Sequence, residues 1–345
     1  MTVVDELFSL HLCSVQKILI IQTAFIGDVV LATCLGEKLH QFFPNDQIDF
    51  LVRKGNESLL TNHPYLHEVL VWDKKKSKFG NLWKMLQLIR KNKYDRVINV
   101  QRFFATGFLT AFSGAKETIG FDKNPLSFLF TKKINHIIGD EEHPRHEIER
   151  NLDLIRDFTD KQIVKPKLYP SKEDFEKVVT FKNSRYITIS PASVWFTKQF
   201  PEEKWIEFIR SLPSHFMVYL LGAASDTPLC ERIAAGSGRT TIVLLCGKLS
   251  FLQSAALMKD AQMNYVNDSA PMHFASALNA PVTAVYCSTV PWFGFGPLSD
   301  RKFIVQVAKP LSCRPCGLHG YRACPLTHFH CARQIEISQL EASLG

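Results

Sequence analysis

No Gly-x-Gly-x-x-Gly follows the first apolar run, and no Gly-Lys-Ser/Thr loop occurs anywhere in the 345 residues. Those absences argue against a nicotinamide-dinucleotide enzyme and a P-loop NTPase, which need such glycines to bring backbone amides onto phosphate. Long apolar runs are also lacking. Stretches such as Ile18 to Ile21 fall far short of the roughly 18 residues that a membrane span requires. Met1 to Ser14 carries apolar residues without a basic start, so it does not read as an export leader, and the chain reads as cytoplasmic. Nine cysteines without an export signal point to thiols or metal ligands rather than disulfides. No zinc-finger, RRM-like or helix-turn-helix pattern stands out, which argues against nucleic acid as the partner.

What is present is a globular composition, 46% hydrophobic and 21% charged, on a chain too long for one typical core. The formal net charge of +8 favours an anionic partner such as a phosphorylated substrate or a membrane surface. Strand and helix patterns alternate. Lys17 to Gln22 is an apolar, β-branched run, and a loop from Thr23 to Asp28 leads into helical spacing from Val29 to Phe43. Strands are expected at 48–52, 68–72, 96–100 and 118–121, and helices at 79–92, 103–112 and 143–158. The aromatic run Phe103, Phe104, Phe108 and Phe112 is expected to pack in the core, with contact to a lipid as the alternative. Lys74 to Lys78 reads as a solvated turn.

The second half begins as the first did. Strands are expected at 185–190, 216–221, 241–246, 264–266 and 281–286, with helices at 201–212, 228–235, 250–259 and from Pro271. The organisation expected is therefore α/β, with two Rossmann-like domains facing each other across a cleft. They span 15–165 and 185–345, joined by a linker at 166–184.

The stretch from Asn264 to Leu278 is the focus of the chain. Asn267, Asp268, Ser269 and Ala270 join a strand to a helix whose first turn holds Pro271, where a missing N–H is harmless. Free amides and the helix dipole at such a junction suit a phosphate. Asp268 and His273 can hold hydroxyls; an ordinary capped helix is the competing reading. In the first such loop of the first half, Gly27 allows close approach. Asp28 is either a helix cap or a general base taking a proton from an attacking hydroxyl. Lys198 beside Ser193 and Thr197 suits a diphosphate, against an ordinary surface lysine. Asp226, after the next strand, sits where a carboxylate takes ribose hydroxyls, or else caps the helix opened by Pro228.

Together, Gly27-Asp28, Thr197-Lys198 followed by Phe200-Pro201, and Asn267-Asp268-Ser269-Ala270-Pro271-Met272-His273 resemble the ADP-heptose:lipopolysaccharide heptosyltransferases. The resemblance runs from about Lys17 to the C-terminus, and the tail from Cys313 to Cys331 shares in it. It implies the GT-B glycosyltransferase architecture and a metal-independent, inverting transfer. The donor would be ADP-heptose on the second domain and the acceptor a phosphorylated inner-core lipopolysaccharide on the first. By position, Asp28 matches the base, Lys198 the lysine that meets the donor phosphates, and Asp226 a ribose carboxylate usually supplied by glutamate. Asp268 falls near sugar and phosphates, and the Ser269 and Ala270 amides form the phosphate cradle. Ala270 replaces a common glycine, and Cys287-Ser288-Thr289 replaces Gly-Pro-Thr close to the donor. Gly27, Arg102 and Arg145 are the acceptor-side candidates, since arginine grips phosphate or carboxylate with two parallel bonds.

A lipid acceptor implies work at the inner face of the inner membrane, as a peripheral protein. Rival readings are a related transferase using another nucleotide sugar and a non-catalytic binding protein of the same fold. The spacing Cys313-x2-Cys316-x7-Cys324-x6-Cys331, with His319, His328 and His330 nearby, fits a structural zinc site, a packed thiol cluster or disulfides. No cofactor is otherwise expected, and the sequence carries no sign of the oligomeric state.

Overall fold

The computed structural model describes residues 15–74 and 78–344. The N-terminal stretch considered as a leader and the middle of the basic run lie outside them. Parallel strands buried on both faces must be apolar throughout, and the first such run forms β1 (Lys17–Ile21). It is followed by α1 (Ile26–Phe42), β2 (Gln47–Arg53), β3 (Glu68–Trp72), α2 (Lys78–Asn92), β4 (Arg96–Asn99), α3 (Phe104–Ala111), β5 (Glu117–Phe121) and β6 (Lys132–Ile134). All six strands run parallel in the order β3-β2-β1-β4-β5-β6. The strand order reverses between β1 and β4, which is where open sheets of this kind bind ligands, outside their carboxyl ends. On one face, Leu19, Leu51, Trp72 and Val97 pack against Met85, Leu86 and Ile89 of α2 and Leu109 of α3.

The aromatic run does not behave as its composition suggests. Phe108 packs against this core, but Phe103, Phe104 and Phe112 are exposed. The expected helix 143–158 is also shorter. It forms α4 (Glu147–Asp153), followed by a 3-10 turn at Arg156–Phe158. Here the chain changes unit. One compact unit runs as far as His136 and includes Arg150–Val164; the other takes Ile137–Glu149 and everything from Lys165. The returning piece is fixed by the buried Lys38, whose Nζ donates to the carbonyls of Asp160 (2.7 Å) and Gln162 (2.6 Å). The 137–149 piece is held by the Glu147 amide on the Gly294 carbonyl (2.8 Å). The stretch expected as linker carries a helix, α5 (Lys172–Val178). Ser171 caps it, accepting from the Asp174 amide at 3.2 Å while Asp174 accepts from the Ser171 amide at 2.9 Å.

The second unit repeats the scheme. β7 (Tyr186–Ser190), α6 (Glu202–Ser211), β8 (Met217–Leu220), α7 (Thr227–Ser237), β9 (Ile242–Leu244) and α8 (Phe251–Lys259) lead to β10 (Met263–Asn267), α9 (Ala270–Ala277), β11 (Val282–Tyr286) and β12 (Lys302–Gln306). The order is β12-β11-β10-β7-β8-β9, again all parallel. Relative to each unit's own first strand this is the same topology, with the reversal between β7 and β10. The tail ends in α10 (His330–Arg333) and α11 (Ile337–Glu341), which pack Ala332, Ile335 and Leu340 into the core with Trp205 and Phe208. No described helix is long and apolar enough to cross a membrane.

Candidate functional site

In the second unit the reversal point gathers charge. Lys198 ends the loop after β7 and Asp268 follows β10. Their side chains meet at 2.6 Å with 15% and 8% exposure. Thr289, just past β11, donates its hydroxyl to the same Asp268 oxygen at 2.7 Å. Ser269 stands at the N-cap of α9 with Pro271 in its first turn. The Ser269 hydroxyl does not cap; it reaches the Asn267 carbonyl at 3.3 Å. The Ser269 and Ala270 amides are thus donors with no acceptor inside the helix. One turn into α9, His273 is 4% exposed. Its Nδ1 has no hydrogen-bond partner. Burial, then the charges of His146 and Lys198, push its pKa down to about 3, so the ring is neutral.

The loop carrying Ser193, Thr197 and Lys198 is fixed by a buried amide side chain. Asn267 donates to the Pro191 carbonyl (2.8 Å) and accepts from the Phe200 amide (2.9 Å). Ser193 lends its carbonyl to Gln199 Nε2 at 2.6 Å. Thr197 is tied to the C-terminal tail: its hydroxyl accepts from the Tyr321 amide (2.7 Å) and from Ser288 (3.0 Å). Gly320 makes this possible. Its φ is +76°, and a Cβ there would lie 2.8 Å from the Thr197 hydroxyl and 3.0 Å from Lys198 Cγ. Arg314 holds the loop after β11 from below, donating to the carbonyls of Cys287 (2.8 Å) and Thr289 (2.7 Å). Asp226, after β8, accepts from the Ala223 amide at 2.8 Å, so its carboxylate closes its own loop at the same edge of the sheet.

Arg314 and the Gly320-Tyr321 pair were not singled out from sequence. Ser288 and Thr289 were placed close to the donor by the resemblance, but with no role and no partner assigned. The tail residues had no local signal, because their partners lie 25 to 124 positions away.

In the first unit the loop after β1 is equally constrained. Asn56 donates to the Ala24 carbonyl (3.1 Å), and Thr23 bonds Gln101 (2.5 Å), which follows β4. Lys74, past β3, donates to the Thr23 hydroxyl at 2.6 Å and lies 4.8 Å from the centre of the Trp72 ring. Desolvation of that ammonium group, then the Arg53 charge, lowers its pKa to about 8. Gly27 and Asp28 lie inside the first turn of α1, because the helix begins at Ile26 rather than after Asp28. The Asp28 carboxylate accepts from the Phe25 amide at 3.1 Å. Arg102 is exposed directly beyond β4, across the strand-order reversal from Asp28. Burial first, then the Arg102 and Arg150 charges, pushes His136 down to about 4.

Arg145 lies elsewhere. It precedes α4 instead of opening it, and it belongs to the second unit, where His146 Nε2 bonds the Gly296 carbonyl at 2.9 Å. Of the tail cysteines, Cys331 is buried and Cys313, Cys316 and Cys324 are partly so. Burial raises the pKa of Cys316 and lifts Cys331 to about 12. Among the described residues, the group whose metal-ligating atoms gather within 4.8 Å is Asp49, His67 and Glu68. There Asp49 already accepts from Tyr94 at 2.6 Å and meets His67 at 3.0 Å.

Two parallel sheets of one topology, the second with an ion pair and free amides at its reversal point, are the architecture of the GT-B glycosyltransferases, and comparison with known proteins places the chain in that class. The family follows. Residues 82–321 match the model of glycosyltransferase family 9 (heptosyltransferase), and the chain belongs to it. It is similar to lipopolysaccharide heptosyltransferase 3 of Escherichia coli, 25% identical over 77% of this chain and 82% of that one. It is also similar to lipopolysaccharide heptosyltransferase 1 of Pseudomonas aeruginosa, 24% identical over 87% and 86%. Among solved structures, E. coli ADP-heptose lps heptosyltransferase II superposes with a TM-score of 0.76 at 21% identity, covering 95% of this chain and 98% of that one.

Proposed function

We propose that this glycosyltransferase moves a heptose from ADP-heptose to a phosphorylated inner-core lipopolysaccharide, inverting the anomeric carbon without a metal. It would do so at the inner face of the inner membrane. The observation that carries the reading is the Lys198–Asp268–Thr289 cluster at the N-terminus of α9, in a chain of the heptosyltransferase family.

In this reading Lys198 and the Ser269 and Ala270 amides hold the diphosphate and stabilise the charge that grows on it as the glycosidic bond breaks. Asp268, oriented by Thr289, and neutral His273 face the sugar end, and Asp226 takes the ribose. Asp28 removes the proton from the attacking acceptor hydroxyl as the new bond forms at the anomeric carbon. ADP leaves with the electron pair of the broken bond. Arg102 grips an acidic group of the acceptor. The assignment of Arg145 to the acceptor is less direct, since its segment clusters with the donor unit.

Thermal unfolding in the presence of ADP-heptose, other ADP-sugars and UDP-sugars tests the donor. A ligand at about 100 times its Kd stabilises the folded state by about 2.7 kcal/mol. ADP-heptose should give the largest rise, and transfer to an inner-core acceptor should follow the same ranking. A larger rise and transfer with a different sugar would replace heptose as the donor. Binding without any transfer would make the protein a non-catalytic relative.

A further inference from the structure

We infer that the carboxyl-terminal rim of the first unit's sheet is a bilayer-docking surface that seats on anionic phospholipid. This rests on the lipid-acceptor reading above and names the surface that would meet the lipid. The rim is built from the start of α2 and from the segments that leave β4 and β5 at the same edge. Phe79, at 81% exposure, and Trp83 stand one turn apart at the start of α2, Phe103 (64%) and Phe104 open α3, and Phe128 (71%) and Leu129 occupy the 3-10 turn after β5.

Large apolar side chains at this level of exposure are individually ordinary. Six on one edge are not, because a water-facing rim gains nothing from them. Nor are they loose. The Asn124 side chain donates to the carbonyls of Gln101 and Phe103, each at 3.1 Å, and locks the loop after β5 to the start of α3. Gly107 permits that contact: a Cβ there would lie 2.1 Å from Asn124 Oδ1. The aromatic groups of α3 and of the 3-10 turn therefore project from a braced frame.

The charge around them selects the occupant. Lys84, Arg102 and Lys123 are exposed beside the aromatics. In the two loops after β4 and β5 the acid is Asp122, whose carboxylate is taken by the His136 amide at 2.9 Å. Aromatic side chains with flanking cations match the interface of an anionic membrane, where rings settle at headgroup level and ammonium groups reach phosphate. The same edge carries Asp28 and Arg102, so docking there would bring an acceptor embedded in the bilayer to the reacting loop.

The test is co-sedimentation of the full chain with phosphatidylcholine vesicles, with and without phosphatidylglycerol. It uses wild type, the double variant Phe103→Ser with Phe128→Ser, and Lys123→Glu. Wild type should partition onto the anionic vesicles and release with added salt. The double phenylalanine variant should lose roughly tenfold or more of that partitioning, and Lys123→Glu should lose the preference for phosphatidylglycerol. Transfer to a deacylated, water-soluble acceptor should stay at the wild-type rate in both variants. Unchanged vesicle binding in the double variant overturns the inference. So does a change of oligomeric state in sedimentation velocity with vesicle binding intact, which would make the rim a protein interface. Absent transfer with every acceptor, alongside the expected vesicle pattern, would remove the functional reading and leave the docking surface standing.

Discussion

Asp28 shows how one carboxylate can satisfy two readings. It accepts from the Phe25 amide and so closes the first turn of α1, yet it lies at the reversal point of the first sheet. Asp28→Asn separates the roles, because asparagine still accepts from Phe25 but takes no proton at neutral pH. Turnover should fall about 10²–10⁴-fold, the usual contribution of a positioned general base. The urea midpoint and ADP affinity should both stay within error of wild type. Wild-type turnover would leave Asp28 as a cap alone. Lys198 and Asp268 form a different pair, since removing either partner strands a charge in a nearly closed place. The cluster is thus best understood as a preformed cation and carboxylate that a bound diphosphate would repartition.

At the scale of elements, the loops after β7 and β11 are braced by the tail, the first also by Asn267 of β10. Gly320 lies against the loop after β7 with no room for a side chain. Gly320→Ala meets a left-handed φ that side chains rarely adopt, costing about 1–2 kcal/mol, and a contact of 2.8 Å with the Thr197 hydroxyl. The substitution should displace Thr197 and Lys198 and weaken ADP binding by calorimetry. Gly317→Ala is the matched control: its φ is +63°, but the nearest atom to its Cβ is the Tyr321 hydroxyl at 3.5 Å. It should lower stability while leaving ADP affinity intact. Equal losses of affinity in the two variants would mean that backbone strain anywhere in the tail is enough, and that contact with Thr197 is not the cause.

For the whole molecule, acid stability has a specific origin. His136 in the first unit and His273 in the second are held at about 4 and about 3, against about 6.5 in an unfolded chain. Below that value the unfolded chain takes up protons that the folded one refuses. Stability from these two sites is therefore complete above about pH 6.5 and is lost progressively as the pH falls. Carboxylates held low act later: Asp95, through its bond to Lys116, and Asp300, through Lys165, lose their contribution below the ordinary carboxylate range. Urea midpoints measured from pH 7.5 to 4.5 should fall for wild type and fall less steeply for His273→Gln. An unchanged slope in that variant would mean that His273 charges without unfolding the second unit.

Much of this protein was written locally. Core strands of a parallel sheet are apolar on both faces, so β1, β2, β7, β8, β10 and β11 announce themselves, and helical spacing between them supplies the rest of each Rossmann-like unit. The same logic put Asp28, Lys198 and Asp268 at strand ends, where the topology collects ligands. Edge strands were hidden: β6 reads Lys-Lys-Ile, and β12 is largely exposed, so neither carries the pattern of burial. The phenylalanines opening α3 were misplaced because hydrophobic character cannot tell a core face from a rim. Tertiary structure alone decided that residues 137–149 cluster with the second unit. It also brought Thr289 to Asp268, and Gly320 and Tyr321 to Thr197. Those contacts join positions 21 to 124 residues apart, and local spacing reaches only the next turn or the next pleat. Where distant loops converge is set by how the sheets and the tail pack, and no residue pattern within either loop encodes it.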